Sequence, residues 1–242
     1  MIEYIEGRWN GFKRLDFQFE GRAATLIVPD EPRKDKKWLY KMEYFDVFPS
    51  FEIEMLKRGY YVAHMKNKSR LCPKEDTDMR PRFCELLKAE FGLNEKCLPV
   101  GMSCGGMQTV YFAAEYPQYV AAMYIDAPVL NLLSWPLGMG ESQKPRLVEF
   151  EENIGISIAD MLNYRKHPID YKETLLKSGI PIFMVCGDSD TTVPYNENGK
   201  VLSDYFKANN GNLTEIVKKG CDHHPHGLDD YTSLFEFVNK YY

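Results

Sequence analysis

Cysteine pairs, long apolar runs, basic clusters and internal repeats are all missing from this 242-residue chain, and each absence removes a class of protein. The six cysteines (Cys72, Cys84, Cys97, Cys104, Cys186, Cys221) form no CxxC pair, which argues against a zinc ribbon or a dithiol redox motif. Cys97 and Cys186 sit in apolar runs where a thiol serves as a small hydrophobe, so free thiols are expected. No run approaches the ~20 apolar residues that cross a bilayer. The stretch MIEYIEGRWNGFKRLDFQFEG is charged throughout and has no apolar h-region, so the expectation is a soluble, cytoplasmic protein without a membrane partner. The formal net charge of -5, with both signs interspersed, lacks the concentrated basic surface that displaces counterions from nucleic acid, and the Arg33 to Lys37 cluster is too short to supply one.

What remains is 44% hydrophobic and 27% charged, a balance that suits one globular domain over residues 1–242. The most informative stretch is CLPVGMSCGGMQTVYFAAE, from Cys97 to Glu115. A short apolar run meets Gly101-Met102-Ser103-Cys104-Gly105-Gly106, and then Met107, Val110, Tyr111 and Ala114 recur at helical spacing until Pro117 stops the pattern. Strand, tight turn and helix around Gly-x-Ser-x-Gly describe a nucleophile elbow, whose flanking glycines let a strained turn project a serine hydroxyl. A chain of this length contains the bare motif by chance on the order of one time in ten, so the strand before it and the helix after it carry the argument. The rival reading is a glycine-rich β-to-α turn with a surface serine.

Taken in order, residues 15–20 alternate and 24–28 (ATLIV) are β-rich, suggesting an edge hairpin. A polar loop leads to Trp38-Leu39-Tyr40, and Phe48, Phe51 and Met55 mark a helix to about Arg58. Tyr60 to Met65 reads as a strand, residues 66–80 as a polar loop, and Phe83, Leu86, Leu87 and Phe91 as one face of a helix closed by Gly92. Apolar strands are predicted at Tyr119 to Ile125, Pro181 to Cys186 and Leu213 to Val217, with helices around Val201 to Phe206 and Leu234 to Tyr241. Strands alternating with helices predict an α/β fold with a mostly parallel central sheet covered on both faces. The irregular stretch between the strands ending near Ile125 and starting near Pro181 is too long for a simple connection, so a lid insertion is expected at about 129–178.

A serine hydroxyl becomes nucleophilic when a histidine takes its proton, and the histidine needs a buried carboxylate to fix its tautomer. The order serine, acid, histidine is expected, with both partners in loops after later strands. After PIFMVC comes Gly187-Asp188-Ser189-Asp190-Thr191-Thr192-Val193-Pro194, where the chain resembles the α/β-hydrolase superfamily. In that superfamily the acid commonly lies in Gly-x-x-Asp-x-x-Val-Pro, which implies Asp190, with Asp188 as a turn residue. Asp126 is the alternative acid. Three of the five histidines fall in Gly220-Cys221-Asp222-His223-His224-Pro225-His226-Gly227, where the base is required. The resemblance implies His223, with His224 and then His226 behind it. The same cluster raises metal binding, but Pro225 is expected to keep adjacent histidines from facing one ion, and no second ligand group stands at metal-site spacing. No metal and no cofactor are therefore expected.

The elements GMSCGG, DAPVLNLLSWP and HHPHGL resemble a subgroup of small bacterial α/β-hydrolases over roughly residues 24–240, with Asp222 in place of the usual glycine before the histidine pair. Members are generally labelled hydrolases or esterases. The resemblance implies a serine hydrolase acting on a small carboxylic ester, an acylated carbohydrate or plant-derived ester among the candidates. A non-catalytic ligand-binding protein on the same fold, or a peptidase or acyltransferase using the same residues, are the rivals. For the oxyanion, one donor is expected from the backbone N–H of Cys104 at the start of the helix. With no His-Gly-Gly-Gly present, the backbone around Trp38 and Leu39 is the candidate for the second. Met102, Trp135 and His224 are candidate substrate contacts. The oligomeric state is open.

Overall fold

The computed structural model describes residues 2–242. Nine strands, β1 (Tyr4–Trp9), β2 (Phe12–Phe19), β3 (Arg22–Val28), β4 (Trp38–Lys41), β5 (Tyr61–Met65), β6 (Leu98–Met102), β7 (Met123–Asp126), β8 (Ile182–Gly187) and β9 (Leu213–Lys218), form one sheet. Its order is β1-β2-β3-β5-β4-β6-β7-β8-β9. The first three strands form an antiparallel meander that joins β5, and β5 through β9 in spatial order run parallel. This is the mostly parallel α/β sheet that the alternation predicts.

The core lies on both faces because successive side chains of the inner strands point to opposite sides. Leu26, Tyr40, Ala63, Ile125 and Met184 face one way and pack beneath α2 (Lys74–Phe91), α3 (Cys104–Glu115), α6 (Lys172–Ser178) and α7 (Gly199–Ala208). Their neighbours Ile27, Leu39, Val62, Tyr124 and Phe183 face α1 (Ser50–Lys57) and α8 (Thr232–Tyr241). Between β7 and β8 the chain is less irregular than its sequence suggests, with α4 (Leu147–Ile154), α5 (Ile158–Met161) and α6. Leu132, Trp135, Leu137, Phe150 and Met161 pack over Cys104 and Met107 as a third apolar cluster, whereas α6 helps cover the sheet through Leu175.

Two strands escape the sequence reading. In β1 five of six residues are exposed, leaving no apolar alternation to read, and β4 is a four-residue, fully buried run hidden between a polar loop and a helix. Helix α2 also begins at Lys74, with Pro81 inside it. Its first turns are charged, and buried Asp76 accepts hydrogen bonds from the N–H groups of Lys68 and Ser69, tying the preceding loop down. Among the described residues no helix is long and apolar enough to cross a membrane.

The parallel strands bring their carboxyl ends to one edge, so the segments following β4, β6, β7, β8 and β9 meet there. At that edge the Lys41 ammonium donates to the Glu52 carboxylate at 2.6 Å, with both side chains excluded from solvent. The pair ties β4 to α1, and Nζ also approaches Met102 Sδ at 3.6 Å. Removing one partner of such a pair leaves an uncompensated buried charge. Lys41→Met is expected to lose about 3–5 kcal/mol of stability, much of which returns when Glu52→Leu is added. Urea denaturation of both variants measures this, and a single variant as stable as wild type would contradict it.

Candidate active site

The backbone at Ser103 has φ +52° and ψ -115°, a conformation that an L-residue holds only when its surroundings impose it. Ser103 N–H donates to the Asp126 carbonyl at 2.9 Å, and its own carbonyl accepts from Gly106 at 2.9 Å and Val129 at 3.1 Å. The glycines are sterically required: a Cβ on Gly101 would overlap the Gly105 carbonyl, and one on Gly106 would stand 2.5 Å from Pro128 Cβ. The sharp turn ends β6, starts α3 and leaves the Ser103 side chain at the lip of a cavity.

Around that hydroxyl the structure assembles residues from distant parts of the chain. Ser103 Oγ–H faces His223 Nε2 at 3.0 Å, and His223 Nδ1 lies 2.7 Å from Asp190 Oδ2. The other Asp190 oxygen accepts from the N–H groups of Thr192 and Val193, each at 2.8 Å, which fixes the carboxylate. Because Nδ1 faces a carboxylate it carries the ring proton, and Nε2 has the lone pair that the serine hydroxyl needs. All three side chains are buried.

Asp222, at the position where the resembling subgroup has glycine, couples the acid and histidine loops. Its carboxylate accepts from Thr191 N–H at 2.8 Å, Thr191 Oγ1 at 3.1 Å and His223 N–H at 2.8 Å. Those amide donors hold it below the usual aspartate range. Asp188 acts as a turn residue, accepting from Gly220 N–H at 2.7 Å. Asp126 pairs with a different histidine: its Oδ1 is 2.7 Å from His226 Nδ1, and Oδ2 accepts from Gly227 N–H at 2.8 Å.

The cavity has a volume of about 290 Å³, and its walls include Met102, Trp135 and His224. Trp135 donates its indole N–H to the Lys144 carbonyl at 3.0 Å. His224 stacks on Phe48 at 5.6 Å, and partial desolvation, with His226 and His223 close by, lowers its pKa. Cys104 opens α3; its buried thiol is pushed up to about 12 by desolvation, so it is not a thiolate at neutral pH.

Trp38 is not brought to the site. It begins β4, and the register of β4 on β6 puts it ~20 Å from Ser103 along the strand direction at about 3.3 Å per residue. Its amide donates to the Tyr242 hydroxyl and its indole to the Asn94 carbonyl, so it secures the opposite end of the sheet. The segment after the other end of β4 reaches the site instead: Glu43 packs against Gly105, and Tyr44 lines the cavity with Ser103. Burial beside the Cys104 thiol pushes the Tyr44 hydroxyl far above its ordinary range, so it stays a donor. The expectation for Pro225 is also corrected, because ring nitrogens of His223, His224 and His226 lie within 4.8 Å of one another.

Sequence reasoning missed Tyr44, Val47, Arg70, Lys144, Arg146 and Thr192 in the cavity wall. Arg70 is held by a two-point hydrogen bond to Glu149 of α4 at 2.6 and 2.5 Å. Lys144 and Arg146 come from the aperiodic part of the 129–178 stretch, where no pattern singles them out. Among the described residues that line the cavity there is no carboxylate.

A mostly parallel sheet presenting a serine, histidine and aspartate in hydrogen-bonded sequence after β6, β9 and β8 is the architecture of the α/β-hydrolase fold. The chain belongs to the prolyl oligopeptidase family, whose sequence profile matches residues 81–242. No curated protein matches it. Among solved structures it is similar to an acylaminoacyl peptidase from Pyrococcus horikoshii, with a TM-score of 0.67 at 16% identity over 92% of this chain and 37% of that one. It is also similar to an S-formylglutathione hydrolase from Agrobacterium tumefaciens (TM-score 0.64, 13% identity, 99% of this chain and 96% of that one). A third is a dipeptidyl peptidase 4 from Porphyromonas gingivalis (TM-score 0.68, 13% identity, 96% and 35%). At these identities the likeness concerns the fold, and the chain spans little more than a third of either peptidase.

The two aspartate–histidine pairs give a direct comparison. Asp190→Asn is expected to lower kcat on an activated ester by roughly 10⁴-fold, since an asparagine stabilises the wrong tautomer of its histidine. Asp126→Asn, acting on His226, should cost far less. Equal losses, or a larger loss at Asp126, would reverse the assignment of the acid.

Proposed function

We propose that this protein is a serine esterase that cleaves small carboxylic esters bearing negative charge, using Ser103, His223 and Asp190. The observation that carries the reading is the Ser103–His223–Asp190 relay opening into a cavity of about 290 Å³ with Lys144 and Arg146 in its wall and no carboxylate among the described lining residues. That volume is at the small end for ligand pockets, and the charges favour an anionic acyl or leaving group over a free amine.

In the proposed cycle Ser103 Oγ attacks the ester carbonyl while His223 Nε2 takes the hydroxyl proton, and Asp190 stabilises the imidazolium. The tetrahedral oxyanion is held by the Cys104 N–H at the first turn of α3, where the helix dipole also favours negative charge, and by the Tyr44 hydroxyl. His223 then protonates the departing alkoxide. Water, deprotonated by the same nitrogen, releases the acid and restores Ser103. Met102, Trp135 and His224 border the acyl or leaving group.

Peptide cleavage is the second reading, favoured by membership of the prolyl oligopeptidase family. The same residues serve it, but a substrate with a free amino terminus meets Lys144 and Arg146 in this cavity instead of a carboxylate.

Peptide mass spectrometry after fluorophosphonate exposure tests the activated serine without a guess about substrate. A single adduct on Ser103, abolished by His223→Ala, is expected; the absence of any adduct would make a ligand-binding protein the leading reading. Tyr44→Phe should reduce kcat by about 10²-fold with little change in KM, as for the loss of one oxyanion donor. In an ester panel matched for size, Lys144→Ala with Arg146→Ala should raise KM for anionic members and leave neutral ones unchanged. A panel in which neutral esters are preferred and the double variant has no effect would remove the charge requirement.

A further inference from the structure

We propose that His223, His224 and His226 form a binding site for a single Zn²⁺ ion, and that occupancy of this site switches the hydrolase off. One ring nitrogen from each lies within 4.8 Å of the other two. The ring centroids are spaced evenly, 4.9 Å for each of the three pairs, with interplanar angles of 65°, 79° and 89°. The rings are thus steeply inclined to one another and do not stack. Three imidazoles are a donor set matched to zinc, and tetrahedral coordination with Zn–N near 2.1 Å would need the nitrogens about 3.4 Å apart. Reaching that spacing takes a rotation of the exposed His224 together with a closer approach of His223 and His226, each pivoting about its hydrogen bond to an aspartate.

The outer partners strengthen the assignment. Imidazoles that ligate metal generally donate their other ring N–H to a carboxylate or carbonyl, which fixes the tautomer and raises basicity. Here His223 Nδ1 faces Asp190 and His226 Nδ1 faces Asp126, both at 2.7 Å and both buried. Each arrangement leaves Nε2 with its lone pair. One serves the proposed relay; the other has no part in it. The exposed face at His224, on the wall of the cavity, gives an ion access from solvent.

The consequence for activity rests on the esterase reading, whereas the site itself does not. The lone pair on His223 Nε2 accepts the Ser103 proton, and a metal ion bound there occupies it. Ser103 loses its base and its hydroxyl, 3.0 Å from that nitrogen, is left near the open fourth position of the ion. Zinc therefore inhibits, and chelation preserves or raises turnover.

Cobalt(II) titration of the full-length protein provides a readout that needs no activity. A visible absorption band of four-coordinate strength, saturating at one Co²⁺ per chain and displaced by Zn²⁺, is expected in wild type and lost in both His224→Gln and His226→Gln. His224 is exposed, so its variant keeps the comparison valid if the buried His226 substitution fails to fold by circular dichroism. With excess Zn²⁺, fluorophosphonate labelling of wild-type Ser103 should slow by about 10²-fold, the scale of a lost general base, and recover with EDTA. No saturable band, or a band that survives His224→Gln, overturns the site. A band without slowed labelling overturns the switch. Failure to label in the absence of metal would count against the esterase reading alone.

Discussion

Everything at the carboxyl edge of the sheet depends on holding Ser103 in a backbone conformation it would not adopt alone. Residues with positive φ of this kind cost of order 1–3 kcal/mol and persist when several contacts over-determine them. Here the contacts are backbone hydrogen bonds to Asp126, Gly106 and Val129, so β7 and the segment after it take part in the turn. The turn sets where α3 begins and hence where its unpaired N–H groups point. Close approach is possible because Gly101 and Gly106 have no Cβ where the Gly105 carbonyl and Pro128 stand.

The same edge is organised by three aspartates with distinct tasks. Asp190 holds His223, Asp126 holds His226 and the backbone of Gly227, and Asp222 spans from the histidine loop to Thr191. The loop after β9 is therefore fastened to both neighbouring loops by carboxylates, and also by Lys218, whose ammonium donates to the carbonyls of Pro225 and Gly227. A histidine supported in this way needs little reorganisation to accept a proton, which is how an enzyme lowers a barrier without relying on tight substrate binding. The fold achieves this with loops because each of them leaves the end of an adjacent parallel strand.

What could be read from the sequence follows from which signals are local. The elbow, the apolar strands β6 and β8 and the histidine-rich loop are contiguous patterns, and their residues meet in the structure in the expected order. The exposed strand β1 left no alternation to detect, and buried β4 was too short to separate from its surroundings. Missing β4 also caused the error at Trp38: with the strand unassigned, the start of the run was taken for its end. Tyr44, Arg70, Lys144 and Arg146 were invisible for another reason. They reach the cavity from aperiodic segments whose positions are set by tertiary contacts, such as the Arg70–Glu149 pair, and no spacing rule marks them. The convergence of three histidines is likewise a product of two carboxylates far away in sequence, Asp126 and Asp190.

The cavity's charge also runs against that of the chain. A formal net charge of -5 would repel an anion at long range, but at physiological ionic strength exposed charges are screened over about 8 Å. An anion inside the cavity would therefore respond to the few groups in its wall: Lys144 and Arg146, with the Arg70 charge offset by Glu149. Asp190 and Asp126 are each turned toward a histidine and amide donors, and neither is among the described residues that line the cavity. An acidic protein can thus present a locally cationic site, and the division between buried carboxylates below and basic side chains at the wall makes that possible.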